Sequence, residues 1–167
     1  TPRPLSRLAE RVRKALLSHW HEFSDRELGR LLGVSNRTVS LHRKRLEGEG
    51  LILPRAESTQ DSKACQYDVC TSAVKPAPLN DQLYDPVNES EPSFLALVES
   101  VREHGILEPL AVADDGYILS GHRRHAAAEY LRIERISVRV RHDISYIRDP
   151  DTFLQLLASY NRQRVKS

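Results

Sequence analysis

The residues best suited to chemistry form one short run, Gly121-His122-Arg123-Arg124. It follows Tyr117-Ile118-Leu119-Ser120, which reads as a strand, and it opens a helix that continues through His125-Ala126-Ala127-Ala128-Glu129. The start of a helix leaves several amides unpaired and carries a partial positive charge. Gly121 would let the backbone approach an anion closely, and Arg123 and Arg124 add two guanidinium groups at that end. Cations in a first turn oppose the helix dipole, so they are a local cost. A polyphosphate at that position would account for the cost. The plainer alternative is a pair of surface arginines bound to nearby acids. His122 and His125 stand three apart, a spacing compatible with metal or proton transfer. No adjacent carboxylate is apparent, so contact of His122 with phosphate is the stronger expectation and no metal site is expected. Cys65 and Cys70 lack a second ligand pair for zinc. They read as reduced, half-buried thiols on one strand.

A second group of polar residues lies upstream. A helix over about 36–47, capped by Ser35, turns Val39 and Leu46 inward and Arg37, Leu41 and Lys44 outward, with Ser40 and Arg45 beside them. Short polar and cationic groups on an outer helix face can enter a major groove and meet phosphates. Asn36, at the start of that helix, belongs to the same group.

These residues need elements to position them. Leu5, Leu8, Val12, Ala15, Leu16 and His19 recur at three-four spacing and predict a helix over about 5–20. Ser24 followed by Glu27 is a capping box that starts a second helix, with Leu28, Leu31 and Leu32 as its buried face. Gly33-Val34-Ser35 is a turn short enough to cross two helices steeply. Leu51-Ile52-Leu53 and the alternating Ala64–Cys70, separated by polar residues, predict two strands of a wing, from which Arg55 and Lys63 could touch a nucleic-acid backbone. The segment 72–92 holds four prolines and reads as a linker. Beyond it come a helix over about 92–104 ending at Gly105, a strand after Pro109-Leu110, a hairpin turn at Asp115-Gly116, the strand and helix of the glycine-arginine run, a strand Ile136–Val140, and a last helix from about Pro150 past Arg164. The expected organisation is a DNA-binding domain at 1–73, a linker at 74–91 and a nucleotide-binding domain at 92–167.

Two resemblances rest on these residues. SDRELGRLLGVSNRTVSLHRKRLE, residues 24–47, resembles the helix-turn-helix of bacterial regulators. Residues 93–143 resemble the ParB/sulfiredoxin superfamily: Gly105, Pro109 and Leu110 match its hG-x-x-x-P-L segment, and GHRR at 121–124 matches its GERR-like motif. A further ParB motif, Glu-Asn-x-Gln-Arg, is echoed by Tyr160-Asn161-Arg162-Gln163-Arg164. The implied fold class is α/β (α+β): a winged helix-turn-helix followed by a ParB-like small mixed sheet with helices. The resemblance implies that Gly121, Arg123, Arg124 and Arg164 hold the triphosphate of CTP, or of ATP, that Asn161 assists, and that Gly105 and Pro109 lie nearer the base. Arginine suits the task because its planar fork grips phosphate oxygens in pairs. His122 and Tyr160 replace acidic residues of the family's motifs, which puts Mg²⁺ binding and hydrolysis in doubt. Sulfiredoxin chemistry requires a cysteine where His122 stands, so thiol reduction is excluded.

Net charge is +2, but it is unevenly spread. Residues 1–56 carry 12 Lys/Arg against 6 Asp/Glu, residues 57–115 carry 3 against 12, and residues 116–167 carry 10 against 5. Two basic blocks flank an acidic one; clustered cations are what a phosphate-rich partner needs, and solvated helix faces are the plainer alternative. No run approaches the roughly 18–20 apolar residues of a membrane span, and no basic-plus-apolar leader opens the sequence. A cytoplasmic, nucleoid-associated protein is expected, with double-stranded DNA and a nucleotide as partners, acting in partition, plasmid maintenance or transcriptional control. A homodimer stays open, since helix-turn-helix proteins often pair on palindromic sites. The alternatives are a ParB-fold enzyme (nuclease, NTPase or phosphotransferase), for which Glu108, Asp114 and Asp115 are the nearby carboxylates, and a degenerate domain kept for protein contacts.

Overall fold

A computed structural model describes residues 6–56 and 65–164, the last two of them by backbone alone. The chain divides into two compact units, residues 1–54 and residues 55–167. Lys63 and the side chain of Arg164 lie outside the described residues. Among the described residues no helix is long and apolar enough to cross a membrane.

The first unit is built from three capped helices. α1 (Arg7–His19) starts where the Ser6 hydroxyl accepts the Ala9 amide. α2 (Asp25–Leu32) carries the expected capping box: Glu27 N–H donates to Ser24 Oγ, and Ser24 N–H donates to the Glu27 carboxylate at 2.8 Å. α3 (Asn36–Gly48) begins with Ser35, whose hydroxyl accepts the Thr38 amide at 3.2 Å. The turn between α2 and α3 is tight because residue 29 has no side chain. A Cβ on Gly29 would come within 2.8 Å of the Val34 carbonyl oxygen, and Val34 N–H donates to Gly29 O.

The core of this unit comprises Val12, Leu16, Trp20, Leu28, Val39, Leu46, Ile52 and Leu53. One polar residue joins it. Arg43 is buried, with Nε 2.6 Å from Asp25 Oδ1, Nη1 donating to Trp20 O and Nη2 reaching Phe23 O. It therefore ties α3 to α2 and to the turn after α1. Three expectations fail here. Leu31 is 66% exposed and Leu8 is 45% exposed, whereas the buried face of α2 is Leu28 and Gly29. Among the described residues the wing is also absent as drawn. Residues 51–53 bend, with Ile52 and Leu53 packed in the helical core rather than paired in a ladder.

The strand expected as the wing's second half is β1 (Cys65–Cys70) of the other unit. It pairs antiparallel with β4 (Arg135–Arg141), in register from Cys65 opposite Val140 to Cys70 opposite Arg135. Alternating residues identify a strand but not its partner, and here the partner is distant in sequence. The mixed sheet has the order β1-β4-β2-β3, with β2 (Leu110–Ala113) parallel to β4 and antiparallel to β3 (Ile118–Ser120).

The segment expected as a linker is part of this unit as well. Val74, Ala77 and Asn80 are buried, and a short helix α4 spans Asn80–Leu83. Lys75 N–H donates to Gly116 O, and Ile118 N–H donates to Lys75 O. The stretch thus lies along the open edge of β3. Pro76 and Pro78 suit that place, because prolines are tolerated at a sheet edge. The boundary between units moves accordingly from 74–91 to near residue 55.

α5 (Pro92–His104) and α6 (His122–Tyr130) pack together through Phe94, Val98, Val101 and Ala127. α7 (Pro150–Arg164) contributes Phe153 and Leu157 to a second cluster with Ala77, Ala113, Leu119 and Ile144. Ala111 joins that cluster, so by strand alternation Leu110 and Val112 face the opposite side of the sheet.

Candidate functional site

The glycine-arginine run lies at the strand-to-helix junction where the sequence put it. Gly121 caps α6 with φ +107°, a conformation that L side chains rarely adopt. A Cβ there would meet Leu110 Cγ at 2.8 Å. The glycine is therefore required by its own backbone and by a packed leucine. The first turn of α6 has no side-chain cap and no acidic residue. Its leading amides keep their electropositive character.

The two arginines extend from this turn in different ways. Arg124 donates through Nη1 to Glu108 O at 2.5 Å and lies 3.5 Å from the Glu108 carboxylate, which is 85% exposed. The backbone oxygen fixes its orientation, and the exposed pair adds little. Arg123 donates to Ser93 Oγ at 2.6 Å, at the start of α5. That partner is neutral, and among the described residues no carboxylate pairs with Arg123. Ser93, Leu97, Arg123 and Arg124 line an open hollow of about 500 Å³, within the size range of small-molecule sites. Ser93 was not expected here. It stands 30 positions before Arg123, and no local pattern links the two.

The other expected nucleotide residues are placed as follows. Gly105 ends α5 at φ +72°, and Pro109 precedes β2. The loop between them supplies the Glu108 oxygen to Arg124, so the first motif and the GHRR run do meet. The His122 ring is turned elsewhere: its Nε2 accepts Ala77 N–H at 3.4 Å. His125 is buried, with Nε2 3.4 Å from Thr71 O and Nδ1 3.5 Å from the Glu129 carboxylate. The two histidines thus do not form a pair. Asn161 donates through Nδ2 to Leu157 O on its own helix and is not among the residues lining the hollow. Leu157 and Tyr160 of the same helix pack in the cluster that holds Leu119.

Of the carboxylates considered for catalysis, only Glu108 is beside the arginines. Asp114 is 2.9 Å from His142 Nδ1 and 2.7 Å from Arg148 Nη2. Asp115 is buried and accepts from the Ser145 hydroxyl and the Ile147 amide, both at 2.9 Å. Both belong to the hairpin and the loop that covers it.

In the first unit, Asn36, Arg37, Ser40, Leu41 and Lys44 line one shallow hollow with Asp25. Arg45 stands aside, with Nε 3.1 Å from Glu49 Oε1. Arg55 is exposed but falls in the second unit and carries no wing strand.

Residues 58–149 match the family of the ParB N-terminal domain. The chain belongs to that family. Among solved structures, the C222₁ form of a Pnob8-like ParB-N domain shares 16% identity, with a TM-score of 0.49 over 59% of this chain and 37% of that one. A C-terminally truncated chromosome-partitioning ParB from Caulobacter crescentus, complexed with CTP-gamma-S, shares 22% identity, with a TM-score of 0.48 over 59% of this chain and 53% of that one. A pNOB8-like ParB N-domain shares 19%, with a TM-score of 0.48 over 64% of this chain and 37% of that one. The chain thus spans less than two thirds of the length of each. No curated protein matches it.

Within this ParB N-terminal domain, the two departures from the family's motifs have structural partners. His122 takes the Ala77 amide. Tyr160 interacts with Arg141, whose guanidinium grips Asp143 at 2.9 and 2.7 Å. Both contacts to Arg141 hold its pKa above the ordinary value, and the same pair holds the Asp143 carboxyl below its own. Among the described residues no three His, Cys, Asp or Glu side chains are grouped as a metal site would need.

Proposed function

We propose that the ParB N-terminal domain of this chain binds a nucleoside triphosphate, CTP in preference to ATP, and that the three-helix unit binds double-stranded DNA through the outer face of α3. The chain would then act as a partition-type or regulatory protein in which nucleotide and DNA are bound by separate units.

One observation carries the nucleotide reading. Arg123 and Arg124 open on a hollow of small-molecule size at an uncapped helix start, and Arg123 has a neutral hydroxyl as its partner. An anion there would meet two guanidinium forks and the leading amides of α6 together. Arg123 would exchange Ser93 for phosphate oxygens, and Arg124, already held by Glu108 O, would keep its place. The preference for CTP comes from the family resemblance. Arg164 and Asn161 would complete the phosphate contacts if α7 presents them on ligand binding.

The test is isothermal titration calorimetry of the full chain with each of the four ribonucleoside triphosphates. CTP binding that falls at least tenfold in Arg123→Ala and in Arg124→Ala is the expected result. Absence of heat with all four nucleotides would leave a ParB-like domain without a ligand. The DNA reading is tested by fluorescence anisotropy against a pool of random duplexes, with Arg37→Ala and Lys44→Ala as variants.

A further inference from the structure

The outer face of α3 carries a residue that phosphate attraction does not explain. Leu41 is 70% exposed in the middle of a polar, cationic surface. Arg37 lies one turn before it and Lys44 one turn after, on the same stripe. All three line one hollow with Asn36 and Ser40. The inward side of α3 is already satisfied by Val39, Arg43 and Leu46, so Leu41 makes no contribution to the core. A lone exposed leucine is ordinary. This one shares its hollow with the groups that would hold a nucleic-acid backbone, and it stands between Arg37 and Lys44 along the helix.

We propose that Leu41 is a specificity-determining residue that packs against the C5-methyl group of a thymine in the major groove. The inference rests on the reading of α3 as a DNA-binding helix. Among the four bases only thymine offers an apolar group in the major groove, and apolar side chains recognise it by contact. The distance from Arg37 to Lys44 along the helix axis is roughly 10 Å, about three base-pair steps. Cations at the two ends can thus reach phosphates while the middle residue meets a base edge. Asp25, the carboxylate at the rim, is neutralised by Arg43 at 2.6 Å and does not oppose this approach. A stack of apolar side chains from a protein partner would fit the ring of Asn36, Arg37, Ser40 and Lys44 poorly, because their polar groups would be desolvated without partners.

The experiment begins with selection of a preferred duplex from a random pool by the full chain. Each thymine of that duplex is then replaced in turn by deoxyuridine, which removes only the methyl group, and affinity is measured for the wild type and for Leu41→Ala. One replacement should weaken wild-type binding about fourfold, the weight of a single methyl group withdrawn from water. The same replacement should change Leu41→Ala binding by less than about 1.5-fold, since the contact is already gone. Because Leu41 is exposed, thermal unfolding of the variant should match the wild type.

Each contrary result has its own meaning. A selected duplex whose thymine methyl groups are all dispensable, or equally important in both proteins, overturns the contact while leaving DNA binding intact. Failure to select any duplex overturns the DNA reading itself, and the contact with it. A Leu41→Ala variant that alters the oligomeric state of the free protein, with DNA affinity unchanged, assigns the leucine to a protein interface instead.

Discussion

The side chain of Leu110 fills the space that any residue other than glycine would need at position 121, with its Cγ 2.8 Å from where that Cβ would stand. The contact sets the junction between β3 and α6 and, through it, the direction in which Arg123 and Arg124 leave the helix. Gly121→Ala therefore carries two costs, a clash with Leu110 and a disfavoured backbone at φ +107°. Together these should destabilise the ParB-N unit by about 2 kcal/mol or more, seen as a fall of roughly 5–10 °C in its thermal transition. Leu110→Ala relieves only the clash and leaves a cavity of its own. The double variant should accordingly be more stable than the sum of the two single losses. Strict additivity would mean that residues 110 and 121 do not meet.

Arg43 gives the second prediction. Its guanidinium is 3% exposed and bridges Asp25, Trp20 O and Phe23 O. Removing the charge by Arg43→Met leaves a carboxylate and two carbonyls without their donor. The expected loss is about 3–5 kcal/mol, typical of breaking one side of a buried pair. Trp20, the single tryptophan, is buried in the same unit and reports its unfolding in urea by fluorescence. Asp25→Asn keeps an acceptor for Nε and should cost less. A midpoint unchanged in Arg43→Met would show that the bridge is not formed.

These two residues also show which parts of the structure were legible in the sequence. The caps were plain, because Ser24 with Glu27 and Ser35 with Thr38 act within one helical turn. The GHRR junction was plain for the same reason. Arg43 is masked by the cationic run it forms with Lys44 and Arg45. Its signal was the spacing Val39, Arg43, Leu46, which places it on the buried stripe. Partners distant in sequence were hidden. Nothing local in Cys65–Cys70 indicates pairing with β4 rather than with residues 51–53. Prolines at 76 and 78 mark a linker and a sheet edge equally well, and only the ladder to Gly116 and Ile118 decides between them. Ser93 beside Arg123 belongs to the same class of relationship.

Acid should loosen the three-helix unit through specific carboxylates. The hydrogen bond from Arg13 holds the Glu49 carboxyl below its ordinary value of 4.5, and those from Ser24 do the same for Glu27. A carboxyl whose pKa is lower in the folded chain adds stability that is complete above its unfolded value. That stability is lost as pH falls through the folded value. The urea midpoint followed by Trp20 should therefore hold steady from neutrality to near pH 5 and decline below about 4.5. Glu49→Gln should start lower at pH 7 and decline less steeply. An acid limb identical in the two proteins would show that the Arg13–Glu49 contact does not contribute.

The cations of α3 should differ in their weight on DNA. Arg37 and Lys44 line the outer hollow with Leu41, whereas Arg45 is drawn to Glu49 at 3.1 Å. Each phosphate contact releases condensed counterions, so losing one lowers the slope of log affinity against log salt by about 0.9. Arg37→Ala and Lys44→Ala should each reduce the slope by about that amount, with affinity falling for all sequences alike where the lost contact is to phosphate alone. Arg45→Ala should reduce it less, because its charge is already shared with a carboxylate. The measurement is anisotropy on a fixed duplex across a range of salt concentrations. If the slope falls for Arg45→Ala and not for the other two, the helix meets DNA through its C-terminal end. The hollow around Leu41 would then face away from the groove.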